Sequence, residues 1–296
     1  MKKIVSLAMA SAMVLLAMTG CSNGDKTTST ATTDFKTSHD ISIISREDGS
    51  GTRGAFIELF GIEEKDADGN KVDKTTEEAT ITDKTSVMLT TVSGDPYAIG
   101  YVSLGSLNDT VKALKVDGAE ATAENIKAGT YKISRPFNIA TKGEATGLAK
   151  DFISYILSKE GQTIVCDNGY IAVADSASSF AGSKPEGKLS VSGSSSVTPV
   201  MQKLAEAYMK LNTGATIEVQ QTDSSTGMKD AIAGNCDIGM ASRELKDSES
   251  SELTPISIAI DGVAVIVNPG NPLSDITSEQ VKSIYTGEAT TWDAVK

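Results

Sequence analysis

The chain has 296 residues, 39% hydrophobic and 22% charged, the balance of a soluble globular protein long enough for two domains. Its 39 Asp and Glu against 27 Lys and Arg leave a net charge of −12, which argues against a nucleic-acid binder but not against a small anion held by local dipoles. A single histidine, His39, sets aside a histidine-based catalytic triad and a multi-histidine zinc centre.

Lys2 and Lys3 precede an uncharged apolar run from Ile4 to Met18, too short to span a membrane and laid out as a secretory signal over residues 1–20. The run ends in Met18-Thr19-Gly20-Cys21, which resembles a bacterial lipobox and marks Cys21 for lipidation; the other reading is an ordinary cleavage site beside an unrelated cysteine. Ser22 to Asp40 is mostly Ser, Thr, Lys and Asp, and residues 21–34 read as a disordered tether. The expected location is therefore the outer face of the cell membrane, on a lipid anchor.

Strands and helices then alternate. Ile41 to Ile44 reads as a strand and Ala55 to Phe60 as a helix, followed by a polar turn from Lys65 to Asp73. Asp66, Asp68, Asn70 and Glu77 mimic a calcium-loop spacing only loosely, and Lys71 stands where that loop needs glycine, so a hairpin turn is the better reading. Val87 to Val92 and Ala98 to Leu104 look strand-like, with a polar link to Thr130 and an extended stretch from Ile133 to Ala140 interrupted by Pro136. Phe152, Ile153, Ile156 and Leu157 predict one amphipathic helix over residues 149–165, and 176–187 a loop. Leu189 to Val191 is a strand and Thr198 to Leu211 a helix, with Pro199 in its first turn. Ile217 to Val219, a helix from Gly227 to Ala233, a long strand from Ile258 to Val267 and a helix from Ser278 to Thr286 complete an α/β order. Cys166 and Cys236 both flank apolar runs, which suits a disulfide or two buried free thiols.

Two Gly- and Ser-rich turns, 45–54 and 192–199, and a weaker third, 222–227, each lie between a strand and a helix. There the first N–H groups of the helix lack partners and carry partial positive charge, Ser and Thr add hydroxyl donors, and Gly admits close approach. Such turns hold oxyanions, and Arg46 adds a planar fork suited to phosphate or carboxylate. Any one of them alone is also an ordinary helix cap. Gly49-Ser50-Gly51-Thr52-Arg53-Gly54 also matches the G-x-G-x-x-G dinucleotide pattern literally, but it opens only a short helix, in a chain read as exported.

Arg46-Glu47-Asp48-Gly49-Ser50-Gly51-Thr52 resembles the phosphate-binding loop of PstS-type proteins, the substrate-binding subunits of phosphate ABC transporters. Gly193 to Pro199, Asp223 to Gly227 and Asp237 to Arg243 resemble that family's other binding loops, and Ile284 to Glu288 with Trp292 and Glu160 to Gln162 with Gly169-Tyr170 resemble its landmarks. The resemblance covers nearly the whole chain after the tether, but the loop order differs: the family begins with the Gly193-type loop. One copy of every landmark reads as a circular permutation joined through 176–187, an arrangement tolerated where old termini lie close.

The resemblance implies a two-lobe, periplasmic-binding-protein-like α/β fold of type II, each lobe a mixed sheet flanked by helices. One lobe would comprise 35–132 plus 268–296 and the other 133–267, joined by a two-strand hinge at Tyr131 to Ala140 and Ile258 to Val267. It assigns Arg46, Ser50, Gly51 and Thr52 to the ligand from one lobe and Ser195, Ser196 and Ser224 from the other, with Asp48 orienting Arg46. Ser242 stands where some members carry an aspartate that accepts the proton of monohydrogen phosphate, so discrimination against sulfate would rest on Ser242 or another acceptor. The implied function is capture of inorganic phosphate by cleft closure and delivery to a membrane permease, by a monomer, without catalysis, metal or organic cofactor. Three rivals stay in view. One is a binding protein for another tetrahedral oxyanion. The second is an exported hydrolase with Ser195 or Ser50 as nucleophile, short of any base better than Lys203. The third is a surface adhesion or signalling module that does not transport.

Overall fold

Short β-branched runs feed helices through polar turns, and the element order follows from that alternation. The computed structural model describes residues 35–174 and 176–295. The signal-peptide, Cys21 and tether readings lie outside them. In chain order the elements are β1 (Ser42–Arg46), α1 (Gly51–Leu59), β2 (Glu63–Lys65), β3 (Lys71–Asp73), β4 (Thr80–Thr82), α2 (Thr85–Gly94), β5 (Ala98–Ser103), β6 (Lys112–Ala113), β7 (Lys115–Val116) and α3 (Ala123–Lys127). There follow β8 (Ser134–Thr141), α4 (Gly147–Ile156), α5 (Lys159–Asp167), β9 (Gly187–Ser194), α6 (Thr198–Leu211), β10 (Ala215–Thr222) and α7 (Ser224–Ala233). Last come β11 (Ile238–Ala241), α8 (Asp247–Ser250), β12 (Thr254–Val267), β13 (Asp275–Ile276) and α9 (Ser278–Tyr285).

The main sheet runs β10-β9-β11-β8-β12-β5-β1-β4, with β6 also on β12. Its two ends repeat one plan. At one end β1 lies between β4 and β5, both parallel to it; at the other β9 lies between β10 and β11, both parallel to it. Each triplet is flanked by an antiparallel strand, β12 on β5 and β8 on β11, and β8 and β12 pair antiparallel with each other across the middle. Two cores result. One gathers Phe56, Tyr101, Tyr285 and the Val263–Val267 half of β12. The other gathers Phe152, Leu204, Tyr208, Met240 and the Ile258–Ala259 part of β12. β12 is thus one strand whose halves serve different cores, and the division falls near Asp261, earlier than the sequence boundary after Val267.

Several local readings change. Residues 87–92 lie in helix α2, because Thr85, Met88 and Val92 recur at helical spacing and bury one face, whereas the β-branched Val and Thr suggested a strand. The helix read over 149–165 is two, broken where the Ser158 hydroxyl accepts the Gly161 N–H at 3.2 Å and caps α5. The polar link to Thr130 holds β6, β7 and α3, and the short β11 escaped notice altogether. Pro136 does not interrupt β8: it pairs with Ile260, and the ladder to β11 covers only Asn138 to Ala140, so no cross-strand bond on that side needs its missing N–H. The calcium-like segment is a β2–β3 hairpin. Cys166 and Cys236 are both free, the first exposed and the second buried, which settles the pairing question. Among the described residues, no helix is long and apolar enough to cross a membrane. The two ends of the described chain meet: Asp40 bridges Thr291, and Asp293 N–H donates to Thr37 C=O at 2.7 Å.

At the middle of the sheet the register sets Asp261 opposite Arg135. Both are buried; Asp261 Oδ2 accepts from Arg135 Nη2 at 3.1 Å, and Oδ1 accepts from Ser103 Oγ at 2.9 Å and Leu104 N–H at 3.1 Å. Removing one partner strands a buried charge, so Asp261→Ala is expected to cost about 3–5 kcal/mol in a urea melt; a loss under about 1 kcal/mol would contradict this reading. Burial pushes the Cys236 thiol up to about 11, so it should stay silent to a thiol reagent until the protein unfolds, while Cys166 reacts in the native state of a chain begun at Ser22.

Candidate functional site

Four helices begin where the two lobes meet. Ser50 caps α1, its hydroxyl accepting the Arg53 N–H at 3.3 Å, and Gly51 and Thr52 form the first turn. Thr85 opens α2. Ser195 and Ser196 lie in the turn between β9 and α6, where Ser194 Oγ accepts the N–H groups of Ser196 at 3.3 Å and Val197 at 3.4 Å. Asp223 caps α7 and Ser224 is its first residue. Each helix directs its N-terminal end, and with it the positive end of its dipole, towards this region.

The side chains converge across the lobes. Arg46 Nη2 donates to Ser195 Oγ at 3.0 Å, and Thr52 Oγ1 and Ser196 Oγ are 2.8 Å apart. Thr85 Oγ1 lies 3.3 Å from Ser195 Oγ. Ser242 follows β11; its hydroxyl accepts from Ser194 Oγ at 3.0 Å and its N–H donates to Ser224 Oγ at 3.1 Å. Gly51 packs against the same two residues: a Cβ there would stand 2.4 Å from Ser224 Oγ and 2.7 Å from Ser242 Oγ. Every residue assigned by resemblance to the ligand is therefore in this one cluster, and all are buried.

Asp48 is the exception, and its expected role passes to a neighbour. Asp48 points outward, its side chain 96% exposed, and pairs with Arg53 at 2.7 Å. Glu47 orients Arg46 instead, accepting from Nε and Nη2 at 2.8 Å each. One edge of the guanidinium is thereby fixed and the other turned towards Ser195 and Thr85. Arg46 itself is only 2% exposed. Its main chain is anchored too: its N–H donates to Tyr101 Oη at 3.1 Å and its C=O accepts from Arg53 Nη1 at 2.7 Å. Burial pushes the Tyr101 phenol up to about 12, so it stays a neutral acceptor for that N–H.

Because Glu47 neutralises Arg46, most of the attraction for an anion comes from oriented dipoles and hydroxyls rather than net charge. That is how a chain of net −12 can hold a small anion. Thr85, Ser194, Glu47 and Tyr101 belong to the arrangement but were not among the residues picked from sequence. Thr85 was concealed when α2 was read as a strand; it is recoverable as the first member of the buried Thr85, Met88, Val92 spacing. Among the described residues no His, Cys, Asp and Glu cluster has metal-holding geometry. Tyr101→Phe should leave the buried Arg46 N–H without a partner and cost about 1–3 kcal/mol of stability, measured by chemical denaturation.

The geometry agrees with the comparisons. The family model described as "PBP superfamily domain" matches residues 24–160 and 178–295. Phosphate-binding protein PstS 2 of Streptococcus agalactiae serotype V is 54% identical over 98% of this chain and 97% of its own length. Phosphate-binding protein PstS 2 of Streptococcus pneumoniae serotype 4 is 45% identical over 86% of this chain and 88% of its own. The crystal structure of a phosphate-binding protein of a phosphate ABC transporter from Streptococcus pneumoniae TIGR4 superposes with a TM-score of 0.71 at 44% identity, covering 87% of this chain and all of that one.

Proposed function

Because the chain belongs to the PBP superfamily and, within it, to the PstS-type phosphate-binding proteins, we propose that it captures inorganic phosphate outside the cytoplasm and delivers it to an ABC-type membrane permease. One observation carries the reading: four helix N-termini, their hydroxyls and the Glu47-held Arg46 converge from two lobes on one buried point. Arg46, Thr52, Ser195, Ser196, Ser224 and Ser242 would contact the anion, with Gly51 presenting its backbone N–H and Ser50, whose own N–H donates to Glu47 C=O, capping the helix behind it. Bending of β8 and β12 opens and shuts the lobes. The binding step needs no bond-breaking chemistry, metal or organic cofactor. In this reading the chain acts as a monomer held to the membrane through Cys21, and its loop order is a circular permutation. The contact between Asp40 and Thr291 is what a loop opened at that place would leave.

A second reading, another tetrahedral oxyanion of the sulfate kind, has its own support. Ser242 is surrounded by the hydroxyls of Ser194 and Ser224, while the carboxylates of Glu47 and Asp223 are engaged by Arg46 and Thr226. A hydroxyl cluster of this kind can serve a ligand with no proton to offer.

Calorimetry decides between the readings, on a chain begun at Ser22 and freed of carried-over ligand by unfolding and refolding. Phosphate should bind one to one and tightly, sulfate weakly, and Arg46→Ala should cost about 2–4 kcal/mol of phosphate affinity. Equal sulfate binding would replace the ligand and keep the site. A folded protein that binds neither anion would end the capture reading.

A further inference from the structure

The phosphate reading makes no use of Gly49 or Gly54, yet with Gly51 these three glycines share a structural trait. None has a left-handed φ, so main-chain conformation does not require glycine at any of them. All three face the opposite lobe. A Cβ on Gly49 would stand 2.2 Å from Asp223 Oδ1 and 2.5 Å from its Cγ, whereas one on Gly54 would lie 3.6 Å from Arg243 Cδ, an ordinary contact. The Ser225 N–H also donates to Gly49 C=O at 3.2 Å, a main-chain bond between the lobes.

Asp223 has no room to step aside. Its Oδ1 accepts the Thr226 N–H at 2.9 Å and its Oδ2 the Thr226 hydroxyl at 2.5 Å, the bonds that cap α7. A side chain at position 49 would either break that cap or hold the lobes apart. In an open form Gly49 and Asp223 separate, and the same side chain would meet nothing.

We infer that the glycine stripe is the surface on which the lobes close, and that Gly49 is an affinity-determining residue for capture although it does not itself hold the ligand. The affinity readout rests on the phosphate reading; the closing contact does not. A ligand that is gripped only in the closed form loses affinity by whatever factor closure loses.

The test uses the chain begun at Ser22. Gly49→Ala should keep the ligand-free melting temperature of the wild type and weaken phosphate binding by about tenfold or more. In saturating phosphate it should also keep a larger radius of gyration by small-angle scattering. Gly54→Ala should bind like the wild type. In Asp223→Ser, which retains a capping hydroxyl, adding Gly49→Ala should cost far less than it does alone, as expected of residues in direct contact. Wild-type phosphate affinity and scattering in Gly49→Ala would overturn the inference while leaving the capture reading intact; so would an undiminished cost in the Asp223→Ser background. Should the wild type bind no phosphate, the capture reading fails and exchange of the Ser225 amide decides. Slower exchange in the wild type than in Gly49→Ala upholds the closing surface, and equal rates overturn it.

Discussion

The antiparallel pairing of β8 with β12 is the constraint on which the architecture depends. It is the ladder that joins the two halves of the main sheet, and it sets Arg135 opposite Asp261 at the division between the two cores. Asp261 also takes in Ser103 and Leu104 from the end of β5. The strand that carries the crossing is thereby tied to the lobe it enters. A one-residue slip of β8 against β12 would turn core residues such as Phe137 and Ile139 to the wrong face and separate the ion pair. With the register held, the loops after β1 and β9 come face to face.

Those loops turn a difficulty of helix formation to use. Every helix leaves its first N–H groups unpaired, and four such starts are gathered at one place. In an apolar setting this would be costly, but here Ser, Thr and Asp side chains take up part of the donors and Arg46 stands among them, already paired with Glu47. The result is a neutral, donor-rich lining, so long-range repulsion from an acidic chain matters less than short-range geometry.

Much of this was legible in the sequence. The helix read over Thr198 to Leu211, with Pro199 in its first turn, is α6 as observed, and the Ser- and Gly-rich turns marked three of the four helix starts. What stayed hidden had physical causes. The β-branched composition of α2 disguised its period, and with it Thr85. Ser158 cuts one apolar stripe into two helices through a single capping bond, which a 3.6-residue pattern does not register. Asp48 and Glu47 are neighbouring carboxylates, and only the direction in which the chain leaves β1 decides which one reaches Arg46. The touch between Gly49 and Asp223 joins parts of the chain far apart in sequence, beyond any local pattern.

The division of β12 between two cores also bears on how the molecule is made. The second core draws on one uninterrupted stretch of chain, from Phe137 to Ala259, whereas the first draws on segments before and after it, including Val281, Ile284 and Trp292. During synthesis from the N-terminus, the inserted lobe holds all its parts while its host still lacks the outer half of β12 and α9. The lobe encoded in the middle is complete first, and the lobe that begins the described chain must wait for it.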